Sequence, residues 1–251
     1  MERNRATDVL RNGSIIAGVW FAYSVVRSFS VGAESVARQN AELVRAFQES
    51  LGVAIEPALQ ELFLTEVVGR FANTYYLLHF PVTVGLLVVT FFRSRDLLFP
   101  ILRDSLVVMT GVGLAVHMFF PLAPPRMLDG IIDASLLYGP NPYDLPGSDA
   151  ANQLAAMPSM HVAWAIALGW TILHTRNDIK LWIVGALHPL VTFFVVLVTG
   201  HHFLADVVVG CVVAIATHMI VSTVYGHPGL PGQRRQISDD SVDGFPKLST
   251  S

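Results

Sequence analysis

Apolar runs long enough to cross a lipid bilayer recur at six places in the chain, roughly 12–30, 71–92, 104–121, 160–175, 181–199 and 205–224. Within hydrocarbon a backbone must satisfy its own hydrogen bonds, so runs of this length and composition fold as helices. The pattern predicts an all-α, polytopic membrane protein built as a six-transmembrane-helix bundle. Of the 251 residues, 53% are hydrophobic and only 14% charged, against about 25% charged in soluble domains. The net charge of −3 provides no basic footprint for nucleic acid. Cys211, the single cysteine, excludes an intrachain disulfide or a thiolate metal cluster and reads as a small packing residue.

Basic residues orient the bundle. With the N-terminus in the cytoplasm, the inner loops carry Arg93 and Arg95, then Arg176 and Lys180, then Arg234, Arg235 and Lys247. The outer loops hold scattered Arg38, Arg45, Arg70 and Arg126 among more acids, which is a positive-inside distribution. Arg3, Arg5 and Arg11 precede the first run, which ends at Val25-Val26-Arg27 with no small-residue cleavage site, so it reads as a retained anchor rather than a signal peptide. Both termini are therefore expected in the cytoplasm, with the segments near 121–159 and 200–206 outside, in a plasma (cell) membrane. Residues 1–225 are expected as one membrane-embedded domain. Residues 226–251, rich in Gly, Pro, Ser and charge, are expected as a disordered cytoplasmic tail.

Residues 31–70 form an amphipathic, extracytoplasmic helical interlude. Val44, Phe47, Leu51, Ile55, Leu59 and Leu62 recur at helical spacing, with Glu42, Glu49, Glu56 and Glu61 between them, and Gly52 and Pro57 divide the stretch into two pieces. The pieces could govern how lipid reaches the bundle, or simply pack over it.

Three polar clusters lie on the predicted outer side. In Pro124-Pro125-Arg126 the prolines stop a helix and hold an arginine whose fork suits a pair of phosphate oxygens; an interfacial arginine can equally solvate a helix end. Pro158-Ser159-Met160-His161 resembles a helix start, whose free N–H groups attract anions, with a histidine in the first turn; an ordinary cap accounts for it as well. His202 and Asp206 are four apart, so on a helix they share a face within hydrogen-bonding reach. A carboxylate on one imidazole nitrogen sets the tautomer and raises the basicity of the other, yet alone the pair fits a solvated helix start equally. Together the clusters supply anion binding, an acid and an activated nucleophile, a full set for metal-free phosphoryl transfer.

These motifs, with Asn73-Thr74-Tyr75-Tyr76-Leu77-Leu78-His79-Phe80-Pro81 and Asn152-Gln153-Leu154-Ala155-Ala156-Met157, resemble the type 2 phosphatidic acid phosphatase superfamily, and within it the inositolphosphotransferase (inositol phosphorylceramide synthase-like) branch, over about residues 70–225. The resemblance implies a phosphohistidine mechanism: His202 attacks phosphorus, Asp206 holds it, and His161 protonates the leaving oxygen. Arg126, Ser159 and nearby backbone N–H groups, Met160 among the motif residues, would then hold the phosphate. No cofactor or metal is implied, and the partner is a membrane lipid carrying a phosphate.

The chain departs from the superfamily pattern in two places. Phe119 stands where a lysine is usual and Val196 where an arginine is usual, so two phosphate-binding cations are missing. A diester carries one charge fewer than a monoester dianion, which favours transfer of a head group of the inositol-phosphate type over hydrolysis of phosphatidic acid or a polyprenyl phosphate. His117, His201, Asn152, Tyr76, Asn73 and His79 are the candidate replacement donors. His174, His188, His218 and His227 are expected to be structural. Two other classes compete: a metal enzyme using His161, His201, His202 and Asp206, and a non-catalytic lipid-binding or transport protein. The first lacks an accompanying histidine-pair repeat; the second has no need of a His–Asp pair.

Overall fold

A computed structural model describes residues 5–30, 33–93, 98–142, 144, 153–175 and 178–226. The expected tail beyond Gly226, His227 within it, and the candidate Asn152 lie outside the described residues. In chain order the helices are α1 (Arg5–Ser30), α2 (Glu34–Ser50), α3 (Glu56–Phe63), α4 (Glu66–Arg93), α5 (Leu98–Phe119), α6 (Ala134–Tyr138), α7 (Met160–Thr175), α8 (Ile179–Val198) and α9 (Leu204–Val224). No strand occurs among the described residues.

Four of these helices, α4, α5, α8 and α9, are long and apolar enough to cross a membrane. The first and fourth apolar runs also fold as helices, α1 and α7, but fall outside that set. With 16 residues, α7 extends about 24 Å, short of a hydrocarbon core of about 30 Å. Early in α1 come Asp8, Arg11 and Asn12. Length and composition thus support four spans where the hydropathy reading expects six.

α5 begins at Leu98, earlier than its apolar run, and takes in a buried Arg103 and a partly exposed Asp104 that bond to other helices. Arg103 donates to Asp104 at 2.6 Å and to Asn12 of α1 at 2.6 Å, and the Tyr225 hydroxyl donates to Asp104 at 2.5 Å. A charged pair that reads as a helix boundary is instead a tie between α1, α5 and the end of α9.

α7 is central, packing on α5, α8 and α9. Its Ala163, Ala167 and Leu168 join Leu102, Leu106, Met109 and Ala214 in one buried cluster. Against α8 the contact is made by glycines: a Cβ at Gly185 would stand 2.8 Å from the Gly169 carbonyl oxygen, and one at Gly169 would stand 2.5 Å from that of Gly185. Lipid tails are as apolar as leucine, so helices in membranes associate through such close packing. The outside of the bundle is correspondingly apolar, with Phe71 and Leu78 of α4, Trp182 and Leu190 of α8, and Val212 and Ile215 of α9 exposed.

α2 and α3 follow the expected amphipathic interlude only in part. They are separated at Gly52, whose φ of +67° suits glycine, and Pro57 lies in the first turn of α3. Yet Phe47, Leu51 and Leu62 of the apolar stripe are exposed, while Gln48, Glu56 and Gln60 are buried. Val44 and Leu59 of that stripe pack against the core. Glu42, Glu49 and Glu61 stay exposed, so the inward side of the pair combines Ala37 and Ala41 with Gln48, Glu56 and Gln60, which meet backbone groups there.

Replacing Gly185 with valine should push α7 and α8 apart and destabilise the protein by about 1–3 kcal/mol. Gly111→Val, where an added Cβ meets nothing within 4 Å, should lower the melting temperature in detergent far less. Equal melting temperatures for the two variants would contradict the glycine crossing.

Candidate active site

Backbone hydrogen bonds gather the three polar clusters at one end of the bundle. The chain leaving α5 pairs with the chain entering α7: Leu122 N–H donates to the Leu154 carbonyl (2.9 Å) and Ala156 N–H to that of Leu122 (3.1 Å). Arg126 N–H donates to the Gly200 carbonyl at 2.8 Å, and Ser159 N–H to the Asp206 carbonyl at 3.0 Å. Two glycines permit these approaches. Gly200 has φ +74°, and a Cβ there would meet the Ile132 carbonyl oxygen at 3.0 Å; a Cβ at Gly210 would lie 2.6 Å from the Ser159 carbonyl oxygen.

His202 sits in the short turn before α9. Its Nδ1 lies 2.8 Å from the Ala156 carbonyl oxygen and 3.5 Å from Asp206 Oδ2. Both neighbours are acceptors, so the network assigns the proton to Nδ1 and leaves the lone pair on Nε2. Asp206 is 0% exposed. Its Oδ2 also accepts the Phe203 N–H at 2.8 Å, half of a capping box at the start of α9. The two readings of the pair in sequence, helix start and histidine partner, therefore describe one carboxylate. The nearer partner of His202 is nonetheless the Ala156 carbonyl.

His161, in the first turn of α7, has its ring centroid 6.0 Å from that of His202. Tyr76 of α4 stacks on His161 at 4.0 Å and on His201 at 4.2 Å, holding the two rings on either side of it. His79 lies 5.2 Å from His161 and 5.4 Å from His188, and His188 Nδ1 is 2.7 Å from the Tyr75 hydroxyl. Ser159 is fully buried, with its hydroxyl 3.5 Å from the Val162 N–H. Met160 packs its sulfur against Gly113 of α5. His117 is buried with both ring nitrogens enclosed. Asn73 is occupied in structure, donating to the Ala134 carbonyl at 2.8 Å and that of Gly139 at 3.1 Å.

Arg126 is buried and has partners that sequence reasoning missed. Its guanidinium lies 3.5 Å from Asp133 Oδ2 and 3.4 Å from Gln153 Oε1. Asp133, seven residues on, carries the opposite charge in the same loop, which is a weak signal at best. The Ala156 carbonyl had no signal, since every residue carries one. At the two positions lacking the usual cation, Phe119 is 82% exposed and Val196 is buried. The Val196 carbonyl accepts the N–H groups of both His201 and His202 at 3.1 Å, so this position anchors the loop through its backbone. Among the described residues, no three His, Cys, Asp or Glu side chains are grouped to hold a metal ion.

His201 lies outside the helices, and burial, then the nearby Arg126 charge, push its imidazole well below the ordinary histidine range. It is therefore neutral in the folded protein at neutral pH. An unfolded histidine titrates near about 6.5, so below that pH the unfolded chain takes up a proton that folded His201 refuses. This contribution to stability is present above about pH 6.5 and declines as pH falls below it. The melting temperature in detergent should drop between pH 7.5 and pH 5, and by less in His201→Gln. An identical drop in that variant would contradict the assignment.

The family model for the PAP2 superfamily matches residues 42–220, beginning before the residue 70 at which the resemblance in sequence starts. The match takes in most of α2, all of α3 and all three polar clusters. No curated protein and no solved structure shows a significant match to the chain. With most of its length matched and its polar clusters gathered at one end of an apolar helical bundle, the chain belongs to the PAP2 superfamily.

Proposed function

We propose that this protein is an integral membrane phosphotransferase that moves a phosphorylated head group between lipids through a phosphohistidine at His202. Membership of the superfamily suggests lipid phosphatase or phosphotransferase activity in general. The observation carrying the specific reading is the state of His202: Nδ1 is engaged by the Ala156 carbonyl and Asp206, which leaves Nε2 with the lone pair. His161 and Arg126 lie at the same end of the bundle.

In this reading Nε2 of His202 attacks phosphorus, forming a P–N bond as the bond to the departing lipid oxygen breaks. His161 protonates that oxygen. It then removes the proton from an acceptor hydroxyl, whose oxygen attacks phosphorus and releases His202. Asp206 stabilises the imidazole as it becomes cationic. Arg126, Ser159 and the N–H groups at the start of α7 hold the phosphoryl oxygens. General acid–base assistance of this kind contributes about 10²–10⁴-fold.

A diester substrate is supported by charge. Positions 119 and 196 bear no cation, and Arg126 already faces the Asp133 carboxylate. A site so arranged has less positive charge to offer a monoester dianion. The branch that this favours is the inositol-phosphate-type transferase. The site is assigned to the outer face of the plasma membrane, within six membrane-crossing segments that include α1 and the short α7, and with both termini cytoplasmic.

Purified protein given phosphatidylinositol and an alcohol-bearing lipid acceptor should yield a head-group-exchanged lipid rather than free phosphate. His202→Ala should lower turnover by at least about 10³-fold, and His161→Asn by about 10²-fold or more. Rapid release of free phosphate from phosphatidic acid, abolished by His202→Ala and unaccompanied by exchange, would replace transferase by phosphatase. Undiminished activity of His202→Ala would end the phosphohistidine reading.

A further inference from the structure

The first backbone N–H groups of any helix have no partner within it. In α9 these groups stand between His202 and Asp206, and two of them are satisfied from far away in the chain. Leu204 N–H donates to Glu56 Oε1 at 2.6 Å, and Ala205 N–H to Gln48 Oε1 at 2.7 Å. The Gln48 amide in turn donates to the same Glu56 oxygen at 2.9 Å. Glu56 is 3% exposed and Gln48 1%. A second contact steadies the other side of the loop. Gln60 donates to the carbonyls of Ile132 (2.8 Å) and Val198 (3.2 Å) and accepts the Ile132 N–H at 2.8 Å. It thereby ties α3 to the end of α8 and to the residue beside Asp133.

A buried carboxylate is costly unless its hydrogen bonds are satisfied, so Glu56 is an expensive way to fill space. At a helix N-terminus, however, a carboxylate meets the positive end of the dipole, and its charged hydrogen bonds are shorter and about twice as strong as neutral ones. Here they hold the turn of backbone whose two flanking side chains are His202 and Asp206. The approach of Nδ1 to its acceptors depends on where that turn sits.

We propose that Glu56, braced by Gln48, is a positioning residue for the phosphoryl-transfer step: it fixes the first turn of α9 so that His202 and Asp206 stay in register. It touches neither substrate nor reacting atoms. The inference rests on the reading of His202 as nucleophile. It also gives α2 and α3 a task different from controlling lipid access, since Gln48, Glu56 and Gln60 bond the backbone on either side of His202.

The test uses full-length protein in detergent micelles with phosphatidylinositol and phosphatidic acid as probes, comparing parent, His202→Ala, Glu56→Ala, Gln48→Ala, Glu56→Gln and the Glu56→Ala/Gln48→Ala double variant. A displaced turn should lower kcat by about tenfold or more in Glu56→Ala and Gln48→Ala while KM moves by less than about twofold. The double variant should be no worse than Glu56→Ala, because the two side chains act as one unit. Glu56→Gln, which keeps an acceptor oxygen, should recover much of the loss. Folded fraction is followed by size exclusion and thermal melting; should Glu56→Ala fail to accumulate, Gln48→Ala carries the same comparison. A kcat within about twofold of the parent in folded Glu56→Ala or Gln48→Ala overturns the inference. So does a loss that tracks the unfolded fraction alone. An active His202→Ala would instead overturn the phosphohistidine reading, which keeps the two failures distinct.

Discussion

The carboxylate of Asp206, buried at the first turn of α9, accepts the Phe203 N–H and lies 3.5 Å from His202 Nδ1. Its own backbone carbonyl accepts the Ser159 N–H. One residue thus caps its helix, faces the histidine and ties α9 to the start of α7. Removing one partner from such a buried charge typically costs about 3–5 kcal/mol, so the arrangement holds only if the neighbouring pieces stay in place. Gly210 makes the approach of α9 to Ser159 possible, and Gly200 allows the loop to turn against Arg126. The close seating of α9 on α7 is the constraint from which the geometry around His202 follows.

Charge is economised throughout this end of the bundle. Arg126 is buried with an acid and an amide beside it, His201 is held neutral by its surroundings, and the positions of two expected cations are filled by an exposed phenylalanine and a buried valine. The start of α9 is satisfied by Glu56, Gln48 and Asp206.

The amphipathic pair α2 and α3 shows that a hydrophobic stripe alone does not decide which residues of a helix are buried. In water the apolar face of such a helix turns to the core. Here Phe47, Leu51 and Leu62 are exposed while Gln48, Glu56 and Gln60 are buried, because these three side chains bond backbone groups that would otherwise lack partners. The polar face is complementary to the orphan backbone groups of the α8–α9 turn.

Hydropathy by itself determined the helical class and the ends of α7, whose span of 160–175 agrees with the run read from sequence, but of its six runs only four correspond to helices long and apolar enough to cross a membrane. The order of Arg126, His161, His202 and Asp206 in their motifs likewise made the candidate site legible, because helical spacing and helix starts are local properties of a chain. Tertiary structure decided what no local pattern encodes. The Ala156 carbonyl is a nearer partner for His202 than Asp206, the Asp133 carboxylate shares Arg126, and Glu56 and Gln48 reach across 148 and 157 residues to the start of α9. These are backbone or long-range polar contacts, and their acceptors look in sequence like any other carbonyl or any other glutamate on an amphipathic helix. Their roles exist only once packing has brought an unpaired N–H or a guanidinium within reach.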